Sequence, residues 1–140
     1  MTEQEFRFMH SQLIENYQMI EFRLRGICAL FATATETDKN WFERRGEYEE
    51  DSLGALIIKL QMLQTQSGVK ALENTDFEKL NELRNRRNYW THQCFGGLQP
   101  ILYDNGVMKN CKELDRMVSD LDDGVEWNTK LVEAFSSLTK

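Results

Sequence analysis

The segment Arg87-Asn88-Tyr89-Trp90-Thr91-His92 places an arginine, an asparagine and one of only two histidines within six residues. Arginine presents paired N–H donors that fit phosphate oxygens, and imidazole can take or give a proton near neutral pH. Such a set could grip a phosphodiester and move a proton. RNA carries its own nucleophile, so its cleavage needs only deprotonation of a 2'-OH, stabilisation of charge on the phosphorane and protonation of the 5'-oxygen. No metal or cofactor is demanded. Arg87, His92 and Asn88 are the candidate catalytic residues, Asn88 orienting His92 or donating to the phosphate. Arg84 and Asn85 would extend the strip toward substrate.

These residues need a helix to align them. At about 100° per residue, Asn81, Arg84, Asn85, Asn88 and His92 fall in one narrow sector, beside an apolar sector of Leu80, Leu83, Trp90 and Cys94 on a helix that also carries Phe77. Arg87 projects nearer the apolar side, where a guanidinium is costly unless it meets an anion. Either a second copy of the chain supplies the setting or an internal acid such as Glu15, Glu21 or Asp115 pairs with it. The helix should open at Thr75 or Asp76 and stop at Gly96-Gly97.

Three further helices complete the pattern. Phe6, Met9, Leu13, Tyr17, Ile20, Leu24, Ile27 and Phe31 step by three and four, and Thr2 with Glu5 forms a capping box. Thr33 to Asp38 breaks that helix. Residues 39 to 51 read as a loop with a short helical turn, with Arg44 and Arg45 beside an acidic cluster. Ser52 caps a helix with Leu53, Leu56, Leu60 and Leu63 on one face, ending near Gly68. The last helix runs from about Asn110 to Leu138, with Leu114, Val118, Leu121, Val125, Val132 and Phe135 facing inward. Between it and the motif helix, Pro100, Ile101-Leu102-Tyr103 and Asp104-Asn105-Gly106 suggest a small loop or hairpin. The expected fold is a single all-α domain over residues 1–140, an antiparallel up-and-down bundle of four to five helices.

Composition narrows the functional classes. A chain of 140 residues with one Pro, three Trp and 41% hydrophobic residues should form an ordered globule. No apolar run approaches membrane-spanning length and the N-terminus is acidic, so a cytoplasmic protein is expected. Cys28, Cys94 and Cys111 share no C-x-x-C spacing and read as reduced thiols. His10 and His92 make no metal-binding pattern, no G-x-x-x-x-G-K phosphate loop occurs, and no metal is assigned. A net charge of −6 argues against a protein that coats nucleic acid, so any RNA contact is local. The acid-rich stretch Glu113 to Glu126 reads as a solvated helix face, or as a surface that attracts a basic partner.

Arg87-Asn88-x-x-x-His92 resembles the R-x(4–6)-H motif of the HEPN superfamily, in the form with Asn after Arg. Leu53-Gly54-Ala55-Leu56-Ile57 on the preceding helix resembles a second segment of that family. The resemblance implies a homodimer in which the motif helices meet and form a cleft with two Arg and two His. It also implies metal-independent endoribonuclease activity of a toxin–antitoxin or phage-defence type, often neutralised by a cognate antitoxin. Other members bind RNA or nucleotides without cutting, or regulate. Family forms inhibited by tyrosine modification carry a tyrosine two residues after the histidine; here that position is Cys94. An acidic antitoxin or immunity-type interaction protein, its motif coincidental, is the competing class.

Overall fold

The computed structural model describes residues 2–93, 103–104, 107–108 and 111–140. Helix α1 (Glu3–Thr35) is followed by the short α2 (Trp41–Gly46), α3 (Leu53–Ser67) and α4 (Asn74–Asn88). Helix α4 runs on into a π-helical turn, Tyr89–Gln93; then come the two-residue strands β1 (Tyr103–Asp104) and β2 (Val107–Met108), and α5 (Cys111–Leu138). The strands pair antiparallel, Tyr103 with Met108 and Asp104 with Val107, as a small hairpin between the last two helices. The Gly96-Gly97 stop signal, Pro100, Cys94 and the Asn105-Gly106 turn lie outside the described residues. Among the described residues, no helix is long and apolar enough to cross a membrane.

Local chemistry sets the boundaries. The Thr2 hydroxyl accepts from Glu5 N at 3.1 Å and the Glu5 carboxylate accepts from Thr2 N at 2.9 Å, the capping box expected of α1. The helix continues past Thr33, where the sequence suggested a break. The Thr33 and Thr35 hydroxyls donate back to Ala29 O and Phe31 O, so neither competes with the helical ladder. Ser52 Oγ accepts from Ala55 N at 3.2 Å, and Gly68 closes α3 at φ 72°, a left-handed cap that favours glycine. Asp76 Oδ2 accepts from Glu73 N, so α4 opens at Asn74.

Helix α1 is the spine and packs against α2, α3 and α5. Trp41 donates to Gly26 O and Arg45 covers the Phe22 ring, so α2 runs back down α1. Asn128 reaches Asn16 O while Phe135 packs at Gly26, so α5 runs parallel to α1. Asp76 pairs with Lys130, and Arg86 with Asp120 and Asp123, which sets α4 antiparallel to α5. The bundle therefore alternates direction through five helices, with the short α2 counting as one pass. Arg44, expected on a loop, sits within α2, buried among Glu36, Asp38 and Glu47.

The core joins Phe6, Leu13, Tyr17, Ile20, Leu24 and Ile27 of α1 to Leu56 and Leu60 of α3, Leu80, Leu83 and Trp90 of α4 and its extension, and Met117 and Leu131 of α5. Of the α5 residues expected to face inward, Leu121 and Phe135 do pack against this core and the three valines do not. On α5 the buried positions are Met117, Asp120, Gly124, Trp127, Leu131 and Ala134, whereas Val118, Val125 and Val132 are 44%, 57% and 42% exposed. The helix carries two adjacent stripes. The truly internal one contains an aspartate and a glycine, so counting apolar residues selects its neighbour.

Candidate functional site

The three arginines of α4 fan out to three different helices. Arg84 lies on α3: a Cβ at Gly54 would stand 2.9 Å from its Nη1 and 3.1 Å from its Cδ. Arg86 turns to α5, with Nε 2.8 Å from Asp120 Oδ1 and Nη2 donating to Asp123 Oδ2 at 3.1 Å. Arg87 turns to α1, with Nη2 3.3 Å from Glu21 Oε1. The sequence spacing singles out Arg84 and Arg87 and not Arg86.

Glu21 answers the question raised by Arg87. Of the three acids considered, it is the partner, itself only 12% exposed, and its other oxygen lies 3.7 Å from Arg25 Nη2. Glu21 Oε1 makes no directed hydrogen bond, so charge attraction holds the pair. The inference of a dimer from an unpaired Arg87 therefore does not stand, because the anion comes from the same chain. The Arg87 guanidinium keeps a solvent-facing side and donates from Nη1 to Asn88 Oδ1 at 3.3 Å.

Asn85, Asn88 and His92 are exposed. Arg87 and Asn88 are brought together; no hydrogen bond or ion pair joins His92 to either among the described residues. Tyr89–Gln93 is π-helical, with one extra residue in the turn, so His92 does not continue the strip at the angle that a regular helix would give. The wider turn is braced from inside. His10 Nε2 lies 2.7 Å from Trp90 O, which places the proton on Nε2 because a carbonyl only accepts. The Thr91 hydroxyl donates to Arg87 O at 2.7 Å.

Beneath the strip lies a polar centre that the sequence reading missed. Trp90 is fully buried and donates from Nε1 to Asp120 Oδ2 at 2.7 Å. Burial raises the Asp120 carboxyl above its ordinary value, and the Trp90 N–H and the Arg86 charge offset this only in part. The Tyr17 phenol, buried and without a hydrogen-bond partner among the described residues, is pushed up by burial and then by the Asp120 charge. Tyr89 Oη donates to Glu113 Oε2 at 2.5 Å. Much of the acidic run of α5 thus serves α4 rather than solvent. The available signal was Asp120, a carboxylate inside an inward stripe of three- and four-residue steps.

Comparison with family models, with curated proteins and with solved structures finds no match to this chain.

Proposed function

We propose that the Arg87-Asn88-x-x-x-His92 surface is the active site of a HEPN-like, metal-independent endoribonuclease of a toxin or defence system, completed by the same surface of a second copy. The observation that carries the reading is the Arg87 guanidinium, anchored from inside by Glu21, with Asn88 and His92 exposed beside it. A pre-oriented guanidinium gives a phosphate a fixed fork without ordering a long side chain on binding. In this reading one His92 takes the 2'-OH proton as O2' attacks phosphorus. The other His92 protonates the departing 5'-oxygen, and Arg87 holds the phosphorane charge. The products are a 2',3'-cyclic phosphate and a 5'-OH.

The Glu21–Arg87 pair also favours a second reading, a HEPN-like module that binds RNA or a regulatory partner without cutting. A carboxylate already on the arginine competes with phosphate and reduces the field that an oxyanion would meet. Cleavage of RNA in EDTA decides between them. Wild type should cut, and His92→Ala and Arg87→Ala should each lose activity by about 10²- to 10⁴-fold while keeping the fold. Cleavage that needs Mg²⁺ or survives both substitutions would sink the nuclease assignment. Binding without cleavage would select the module.

A further inference from the structure

The second stripe of α5 is left uncovered among the described residues. Val118, Val125 and Val132 recur every seven residues, all substantially exposed. On parallel α1, Phe8 and Phe22 share the same seven-residue phase and are 64% and 48% exposed, with Met19 beside them. Met19 and Phe22 adjoin Val125 and Val132 along the α1–α5 seam. A shallow groove lined by Asn16, Met19, Arg23, Val125 and Val132 adjoins a pocket of about 170 Å³ walled by Phe22, Trp41 and Phe135.

Charge on the two edges says what fits. The α1 side of the groove carries Arg23 and the α5 side carries exposed Glu133; the cations nearby are already paired, Arg45 with Glu49 and Lys130 with Asp76. Arg23 donates to Asn128 Oδ1, and no carboxylate lies within ion-pair distance of it among the described residues. An apolar strip with an arginine on one side and a glutamate on the other is complementary to itself. A two-fold axis across the strip lays Arg23 of one copy on Glu133 of the other, while the valine stripes of the two α5 helices pack knob into hole.

We propose that the outer face of α1 and α5 is an interface with a second copy of this chain, centred on Val125 and Val132 and framed by Arg23 against Glu133 of the second copy. The proposal does not rest on the nuclease reading, since this face is formed by α1 and α5 and the motif is carried by α4. The outer face of α3, with Ile58 and Met62 equally exposed, has no opposed charged edges and serves as the control.

Sedimentation velocity on the full chain at micromolar concentration tests it. Wild type should self-associate, and Val125→Glu, at a solvent-exposed helical site, should weaken association by about a hundredfold or more as like charges meet. Ile58→Glu should leave it unchanged. Arg23→Glu should weaken association and Glu133→Arg in the same chain should restore it, a rescue that mere loss of the Arg23–Asn128 hydrogen bond would not give. A monomeric wild type would overturn the proposal, as would a dimer untouched by Val125→Glu or one dissolved by Ile58→Glu. If Asn85→Lys on α4 dissolves the dimer and Val125→Glu does not, the α1–α5 interface falls and the composite-site nuclease survives.

Discussion

Arg84 rests on Gly54, the first residue being part of the polar strip of α4 and the second the glycine of the Leu-Gly-x-Leu-Ile segment of α3. A Cβ at Gly54 would stand 2.9 Å from Arg84 Nη1 and 3.1 Å from Cδ, so the absent side chain is what lets the Arg84 side chain approach the start of α3 this closely. Two segments singled out separately in the sequence thus turn out to be one contact.

The consequence is a coupling that can be measured. An added methyl meets the movable end of a flexible side chain, and alanine is about 1 kcal/mol better than glycine inside a helix, so Gly54→Ala should be close to neutral. Gly54→Leu should cost about 1–3 kcal/mol by overpacking. Most of that cost should vanish in an Arg84→Ala background. Equal costs in both backgrounds, by urea unfolding, would mean that Arg84 does not occupy the space.

The Asp120 centre should be the most sensitive polar site of the fold. Asp120→Ala leaves the buried Trp90 N–H without its acceptor and Arg86 Nε without its anion. Breaking a buried pair costs about 3–5 kcal/mol; Arg86 is partly exposed, so roughly 2–3 kcal/mol is expected. Asp123→Ala, whose side chain is 41% exposed, should cost under about 1 kcal/mol. Similar losses at the two sites would remove the special place given to Asp120.

The sequence showed the helices and hid the orientation of their polar side chains, for a physical reason. Spacing by three and four locates a buried face, and Thr2, Ser52 and Gly68 mark their own boundaries through local backbone chemistry. Arg84, Arg86 and Arg87 are long enough to reach α3, α5 and α1, and which neighbour stands where is a property of the assembled bundle. The π-helical turn at Tyr89–Gln93 was likewise invisible, because the carbonyl that His10 meets lies 80 positions away. The α5 stripe was misassigned because a charged residue bonded to a tryptophan can occupy a core position.

Asp76 should govern part of the acid sensitivity. Burial alone would raise its carboxyl, but Lys130 Nζ at 2.5 Å and the Glu73 backbone N–H outweigh burial and hold it below the ordinary value. A depressed folded value means that its stabilisation is present above the unfolded carboxyl value of about 3.9 and is lost as pH falls through the folded one. Asp76→Asn should therefore be less stable by about 1–2 kcal/mol at neutral pH, with the gap closing below about pH 4. A gap that stays constant from pH 7 to 3 in thermal melts would refute this.

Cys28 should be inert in the native protein. It is fully buried, and burial pushes its thiol up to about 12, so almost no thiolate exists at pH 8. Iodoacetamide at pH 8 should leave the Cys28 peptide unmodified by mass spectrometry until denaturant is added. Labelling at the rate of a free thiol would show that α1 and α3 part readily at this point.

Salt dependence tests the proposed RNA contact against the chain's net charge of −6. A site limited to Arg87, Arg84 and their copies in a dimer neutralises few phosphates, so log Kd against log salt should be shallow, with a slope near 0.7 per phosphate contacted on a single strand. Arg84 is the better probe, because Arg87 is already committed to Glu21, whereas no carboxylate lies within ion-pair distance of Arg84 among the described residues. Arg84→Glu should weaken RNA binding by about tenfold or more and flatten the slope by about one contact, whereas Lys70→Glu, exposed on the connection that precedes α4, should do neither. Equal effects at Arg84 and Lys70 would mean diffuse electrostatic attraction. If Arg84→Glu changes nothing while a protein partner binds tightly through α5, the interaction-protein reading should replace the nuclease.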